Sequence, residues 1–314
     1  MKPLAVLKLV RLSALPSALA DIFGGTAVAL ACGASVTHGR LPWLLVATAG
    51  IYLGGMGAND LLHLRKDRLL GKRRPLVTGE VSFGLASAVT VGLYALGLAG
   101  AALAGVALPA LLLAGLTVLY NVLAAGREQG VRVTHPRLQS AAGVAVIACC
   151  RALNVCLPAL ALLPHPWSCA LLSWAAGSVF AYFCVVTSLS LLEDAGGGWP
   201  FLRPAQLVLL PIVLALPMNR LFQPGAAASP VLGTLVPMLV AAALLLQLWR
   251  VLDAARAEPT PQRLGACVAT GIRGESLLMA AFALACAPQH PWLGLAALAC
   301  YPAGRLLSRW ISPT

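Results

Sequence analysis

Long apolar runs alternate with short polar punctuation along the whole chain. Runs near or above 18 residues, built mainly of Leu, Ala and Val, are predicted to cross a hydrocarbon core of about 30 Å as helices. They fall at about 13–36, 42–64, 82–105, 107–124, 138–161, 168–192, 204–222, 231–252 and 266–287, with a short tenth helix allowed at 292–308. Pro and Gly mark their ends, at Pro42, Pro109, the Pro164-His165-Pro166 turn, Pro224 and Pro259. No soluble domain, low-complexity linker or close internal repeat interrupts the pattern. Residues 1–314 therefore read as one all-α, polytopic transmembrane bundle of nine, or ten, helices.

The first run has basic residues ahead of it and an Ala18-Leu19-Ala20 triplet that mimics a signal-peptidase site. The apolar stretch nonetheless resumes after Asp21 and continues to about Val36, which predicts a retained first span. Composition agrees. Of 314 residues, 60% are hydrophobic and 10% charged, whereas charged residues make up about a quarter of a soluble domain, so the bilayer must cover the surplus apolar surface.

The net charge of +12 is spread over short loops instead of being gathered in a basic domain, which argues against a nucleic-acid partner. Lys2, Lys8 and Arg11 precede the first span, and Arg65, Lys66, Arg68, Lys72, Arg73 and Arg74 follow the second. Arg127, Arg132 and Arg137 follow the fourth, Arg203 the sixth, and Arg250, Arg256 and Arg263 the eighth. The alternate loops hold little beyond Arg40 and Arg220. Basic loops stay cytoplasmic, so the N-terminus is expected inside a cell's inner (cytoplasmic) membrane; Arg305 and Arg309 would join that side if a tenth helix spans. Gly54, Gly55 and Gly57 are expected to let helix backbones approach closely. The nine cysteines lie mostly inside apolar segments, as with Cys149, Cys150, Cys156, Cys184, Cys286 and Cys300, and read as packing residues with neither a metal nor a disulfide role.

With ten acidic residues in the chain, each one at membrane depth needs a partner or a task. Most gather near one face. If the second helix continues past its apolar boundary, Asp60 and Asp67 lie two turns apart on one side, with Asn59 and His63 within about a quarter turn. Carboxylates followed at once by a basic run suit a magnesium ion bridging to a diphosphate. In the fifth span, Arg151 and Asn154 share a helical face in apolar company; they could touch phosphate or acceptor, or pair with an acidic residue of a neighbouring helix. Asp21 and Glu275 are open to the same two readings.

The segment NDLLHLRKDRLLGKRRPLVTG resembles the first signature of the UbiA superfamily, Asn-Asp-x-x-Asp-x-x-x-Asp followed by Arg-Pro and a small hydroxyl-Gly turn. Asn59, Asp60, Asp67, Arg74, Pro75, Thr78 and Gly79 match in type and spacing, and His63 stands where the family most often has its middle aspartate. After the sixth span the family carries a second acidic motif. Here the segment is TSLSLLEDAGGG, with Thr187, Ser188, Ser190, Glu193 and Asp194. Its Thr-x-x-Ser-x-x-Glu pattern and the RALN at Arg151–Asn154 resemble the EboC-like branch. Tyr120 fits the family's tyrosine at the end of the fourth span, while Ala124 or Ala125 takes the place of its lysine and Arg127 is the nearest cation.

The resemblance implies a UbiA-like bundle and magnesium-dependent transfer of an isoprenyl group from a polyprenyl diphosphate to an unidentified acceptor, at the cytoplasmic face. It implies catalytic roles for Asp60, Asp67 and Asn59, and magnesium on Asp60, Asp67 and Glu193. Diphosphate contacts would come from Arg74, Lys72, Arg73, His63, Tyr120 and Arg127. Second-motif or acceptor roles would fall to Glu193, Asp194, Ser190, Arg151 and Asn154. The alternative is a non-catalytic isoprenoid- or lipid-binding membrane protein assisting metabolite export or assembly. A secondary transporter would place its charges near the midplane on broken helices in repeated halves, which this pattern lacks.

Overall fold

The structure is a computed structural model that describes residues 3–35, 39–69, 71–126, 136–195, 199–221 and 231–311. Twelve α-helices occur among them and no strand. In chain order they are α1 (Pro3–Leu9), α2 (Leu15–Ala31), α3 (Leu41–Leu62), α4 (Leu64–Leu69), α5 (Phe83–Ala104), α6 (Ala107–Gly126), α7 (Pro136–Leu162), α8 (Ala170–Ala195), α9 (Trp199–Leu221), α10 (Val236–Ala257), α11 (Pro261–Cys286) and α12 (Pro291–Trp310). Seven helices are long and apolar enough to cross a membrane, and the apolar stretches Ala107–Leu123 and Leu202–Leu214 are shorter. The tenth run is also helical, as α12, and packs against α11 and α2.

Local chemistry sets the ends. Ser82 caps α5 by accepting from the Leu85 N–H at 3.3 Å, and Thr260 caps α11 by accepting from Arg263 N–H at 3.3 Å. Pro42, Pro261 and Pro291 sit in first turns, where the missing N–H costs nothing. Arg40, at the start of α3, donates to the Ala161 carbonyl at the end of α7, so those two ends share one face of the bundle.

The bundle is lined with small residues and covered with large ones. Leu108, Leu112, Val91, Leu103, Leu207, Leu239 and Leu295 are exposed on the outer sides of their helices, as expected where lipid replaces water. Trp43, Trp167 and Trp292 are exposed towards one end of the bundle, and Trp249 and Trp310 towards the other, matching the aromatic belts at the two interfaces. α3 and α5 meet backbone to backbone: a Cβ on Gly50 would lie 2.5 Å from Gly97 Cα. Gly54 and Gly57 also face α5, at Tyr94 and Thr90, whereas Gly55 opens towards Thr117 of α6.

One expectation is corrected. Cys32, just past α2, and Cys169, just before α8, form a disulfide with Cα atoms 6.0 Å apart. Separated by 137 residues, they gave no spacing signal, and only the docking of α2 beside α8 brings them together. The bridge ties the end of the bundle opposite the basic loops.

Candidate functional site

Asp60, Asp67 and Arg74, from the segment that closes the second span, come together in one cluster. α3 stops at Leu62 instead of running on, with His63 in a turn before α4. The hydrogen bonds continue through this turn: His63 N–H donates to Asn59 O at 3.0 Å and Asp67 N–H to His63 O at 2.9 Å. Asp60 and Asp67 therefore keep their common side despite the kink. Both are buried, at 3% and 1% exposure, and His63 is buried between them in sequence.

Arg74 joins the two carboxylates. Its Nη1 donates to Asp60 Oδ1 at 3.0 Å and to Asp67 Oδ2 at 2.6 Å. Pro75 and Leu76 are buried beside it, and Thr78 donates to the Arg74 carbonyl at 3.2 Å, folding the Arg-Pro-x-x-Thr-Gly segment into a tight turn that ends on Gly79 at φ 77°. Lys72 is half-buried and Arg73 exposed, and neither takes part in the hydrogen bonds and ion pairs that hold the two carboxylates.

A second arginine enters from elsewhere in the chain. Arg11 Nη2 donates to Asn59 Oδ1 and to Asp60 Oδ1, both at 3.2 Å. Its backbone is left-handed, at φ 49° and ψ 50°, a conformation disfavoured for a residue with a Cβ. α1 anchors it by burying Ala5 and Leu9 against Leu76, Val81 and Ala86. Sequence reasoning assigned Arg11 to topology alone, and nothing local marked it for this site. Asn121 was also missed. It donates to the Gly55 carbonyl at 3.0 Å and accepts from Asn59 Nδ2 at 3.0 Å, which fixes the Asn59 amide; its one available signal was an amide in an apolar helix.

Below this cluster lies a cavity of about 270 Å³. Arg11, Asn59, Tyr120, Asn121, Thr187 and Ser190 surround its mouth. Met56, Tyr52, Phe183 and Ile272 form its walls, and Thr48, Arg151 and Asn154 its deep end. Ser190 turns its hydroxyl back to the Thr187 carbonyl at 2.7 Å.

Arg151 and Asn154 lie at the cavity and also bind neighbouring helices. Arg151 Nε donates to Glu275 Oε1 at 3.1 Å, and its Nη2 lies 3.3 Å from Ser17 Oγ and 3.4 Å from Asp21 Oδ2. The guanidinium stands over the Phe183 ring, 4.8 Å from its centroid, and over Tyr52 at 5.7 Å. Asn154 donates to Asp21 Oδ2 at 2.8 Å and accepts from Thr48 Oγ1 at 2.7 Å. Glu193 and Asp194 fall in the last turn of α8, but their side chains lie outside the described residues, as does Arg127.

Among the described residues, no three His, Cys, Asp or Glu side chains converge closely enough to hold a metal by themselves. The pair Asp60 and Asp67 still fits magnesium. Asp67 Oδ1 is buried without a hydrogen-bond partner, and magnesium is commonly held by one or two carboxylates with the remaining places filled by substrate phosphate oxygens and water.

Fold and site together define a class: a polytopic helical membrane protein with a cavity between its helices, reached at one end by Arg11 and Asn59 of a cluster of paired carboxylates and arginines. No protein-family model and no curated protein matches the sequence. Solved structures do match. One is of digeranylgeranylglyceryl phosphate synthase, with a TM-score of 0.56 over 90% of this chain and 98% of that one, at 13% identity. Another is the apo structure of a UbiA homolog from Aeropyrum pernix K1, with a TM-score of 0.56 over 82% of this chain and 96% of that one, at 18% identity. The chain has the UbiA-type fold.

Proposed function

We propose that this chain is a magnesium-dependent intramembrane prenyltransferase, moving an isoprenyl group from an isoprenoid diphosphate to an acceptor bound in the cavity. The observation that carries the reading is the convergence of Asp60, Asp67, Arg74 and Arg11 in one cluster, joined through Arg11 and Asn59 to a largely apolar cavity between the helices. The Asn-Asp motif and the UbiA-type fold support it. Single-domain organisation, and assignment to the EboC-like branch from the Thr187–Glu193 pattern and Arg151–Asn154, belong to the same proposal.

The chemistry follows from the residues. Without substrate, two guanidiniums neutralise two buried carboxylates. An incoming diphosphate competes for those guanidiniums, and Arg11 and Arg74 can turn N–H donors to its oxygens, Arg74 with the planar geometry that suits phosphate. Asp60 and Asp67, freed of those partners, would hold magnesium, which would supply charge stabilisation for the leaving diphosphate. Asn59, held by Asn121, presents its amide to the same region. As the allylic C–O bond breaks, the diphosphate departs with the electron pair, the acceptor bonds to the allylic carbon and a proton leaves the acceptor. Tyr52 and Phe183 add aromatic surface to the cavity wall, and the surrounding helices keep water from the reacting carbon. Tyr120 lines the cavity and takes a diphosphate contact in this reading, which also assigns Glu193 and Asp194 to the second motif and Arg127 to the diphosphate, with Lys72 and Arg73 supplying long-range attraction.

The mouth is assigned to the cytoplasmic side. Basic loops lie at that end, and the Cys32–Cys169 bridge lies at the other, where an oxidising compartment would preserve it.

A second reading, capture of an isoprenoid diphosphate without transfer, is favoured by one observation: His63 is buried where the family signature carries a carboxylate. The test is diphosphate release from labelled prenyl diphosphates by the purified protein, with and without magnesium, using membrane extract as the acceptor source. Release that needs magnesium and falls by about 100-fold or more in Asp60→Ala and Asp67→Ala supports transfer, the usual scale for removing an electrostatic stabiliser. Arg11→Ala is expected to weaken donor binding by about tenfold or more, the worth of a charge-assisted hydrogen bond. Saturable binding without release would select the second reading.

A further inference from the structure

The polar groups at the deep end of the cavity bear on the acceptor. Thr48, Arg151 and Asn154 reach the cavity there, and bonds to neighbouring helices already occupy most of their donors. Thr48 gives its hydroxyl proton to Asn154 Oδ1, and the Asn154 amide donates to Ala18 O at 3.0 Å and to Asp21 Oδ2 at 2.8 Å. Arg151 commits Nε to Glu275, and Nη2 to Ser17, Glu275 and Asp21. Its Nη1 is engaged by no hydrogen bond among the described residues. The side chain is 5% exposed, and its guanidinium lies over Phe183 and Tyr52, both of the cavity wall. Nη1 is thus a buried donor turned to whatever fills the space, and such a donor is costly to leave unmet.

The donor's diphosphate is not its partner. Tyr52, beside the guanidinium, lies about 12 Å along α3 from Asp60 at 1.5 Å per residue. The group that meets Nη1 therefore belongs to the other occupant of the cavity, the acceptor, at a point remote from the bond that breaks.

Charge decides what that group is. The two cations in the cavity lining are Arg11 and Arg151. Arg11 is paired with Asp60 at 3.2 Å, and Arg151 is matched by two carboxylates, Asp21 and Glu275, each 0% exposed. Asp21 Oδ1 has no hydrogen-bond partner, so the anionic side of the network is already in surplus. A carboxylate or phosphate brought to Arg151 would give up its hydration and meet two carboxylates in place, with no positive charge left over to offset either. The oxygen of a carbonyl, ether or hydroxyl accepts from Nη1 without that penalty.

We propose that the deep end of the cavity anchors the acceptor, and that the acceptor is an uncharged amphipathic molecule whose neutral oxygen accepts from Arg151 Nη1 while its nucleophile points towards Asn59 and the mouth. The inference rests on the transferase reading and names its acceptor class. Acceptors bearing a carboxylate or phosphate are excluded.

The experiment separates a membrane extract on an anion exchanger into uncharged and acidic fractions. Each is supplied, with a labelled prenyl diphosphate and magnesium, to the purified full-length protein in phosphatidylcholine nanodiscs. The uncharged fraction is expected to yield at least about tenfold more labelled product, since the charge that distinguishes the two would have to be desolvated beside like charges. Equal or greater yield from the acidic fraction would overturn the proposal and leave transfer standing. No product from either fraction or from the whole extract would overturn transfer and the acceptor class together. Arg151→Lys ties the result to the site, because it keeps a charge for Asp21 and Glu275 and removes the planar Nη1 donor. In that variant the amount of uncharged fraction needed for half-maximal rate should rise about tenfold or more, the worth of a hydrogen bond from a charged donor, while the half-saturating donor concentration stays the same. An unmoved requirement for the uncharged fraction would overturn the assignment of Arg151.

Discussion

Replacing Arg151 with Met tests whether the buried network holds the bundle together. The side chain is 5% exposed, and both carboxylates it faces, Asp21 and Glu275, are 0% exposed. Met keeps most of the volume and removes the charge. Asp21 retains Asn154 as a donor at 2.8 Å, so Glu275 carries most of the loss. Removing one partner of a buried pair costs about 3–5 kcal/mol, and the stacking over Phe183 adds about 0.5–2 kcal/mol. Glu275→Gln in the same background removes the stranded charge, so the double variant should recover about 2 kcal/mol relative to the sum of the single changes, within the range for residues in one network. Reversible unfolding in mixed micelles, read by tryptophan fluorescence, measures each variant. A loss below about 1 kcal/mol for Arg151→Met, or strictly additive single changes, would refute the account.

Two further outcomes follow from the packing and the disulfide. Gly50→Ala places a Cβ 2.5 Å from Gly97 Cα and 2.6 Å from Leu93 O, so α3 and α5 must separate; a cost of about 1–3 kcal/mol is expected. Gly92→Ala, where a Cβ meets nothing within 4 Å, should be neutral or slightly stabilising in the same melt, and equal effects at both sites would contradict the contact. In intact cells, Cys32 and Cys169 should resist an impermeant maleimide until a reductant is added, then label from outside in a variant whose other cysteines are replaced. Labelling from the cytoplasmic side alone would reverse the orientation and put the mouth of the cavity on the opposite face.

The sequence by itself determined the membrane class, the approximate span positions and the grouping of Asp60, Asp67 and Arg74 in one segment. The apolar runs at 42–64, 82–105 and 168–192 became α3, α5 and α8 with ends shifted by a few residues, because a helix is the sole way for one chain segment to satisfy its own backbone in lipid. Asp60, Asp67 and Arg74 were legible together because they are close in sequence and a helix with one turn after it brings them into contact. The partners of Arg151 were not legible, since Ser17 and Glu275 lie 134 and 124 residues away. Arg11 at Asp60, Asn121 at Asn59 and the Cys32–Cys169 bridge were hidden for the same reason. In a water-soluble helix the apolar stripe points to the core, but here lipid and core are equally apolar. Hydrophobic periodicity therefore does not say which face of a span meets which neighbour. Only the tertiary structure decided that, through backbone approach at glycines and through buried polar groups that had to find one another, and it is those contacts that shaped the cavity and its deep end.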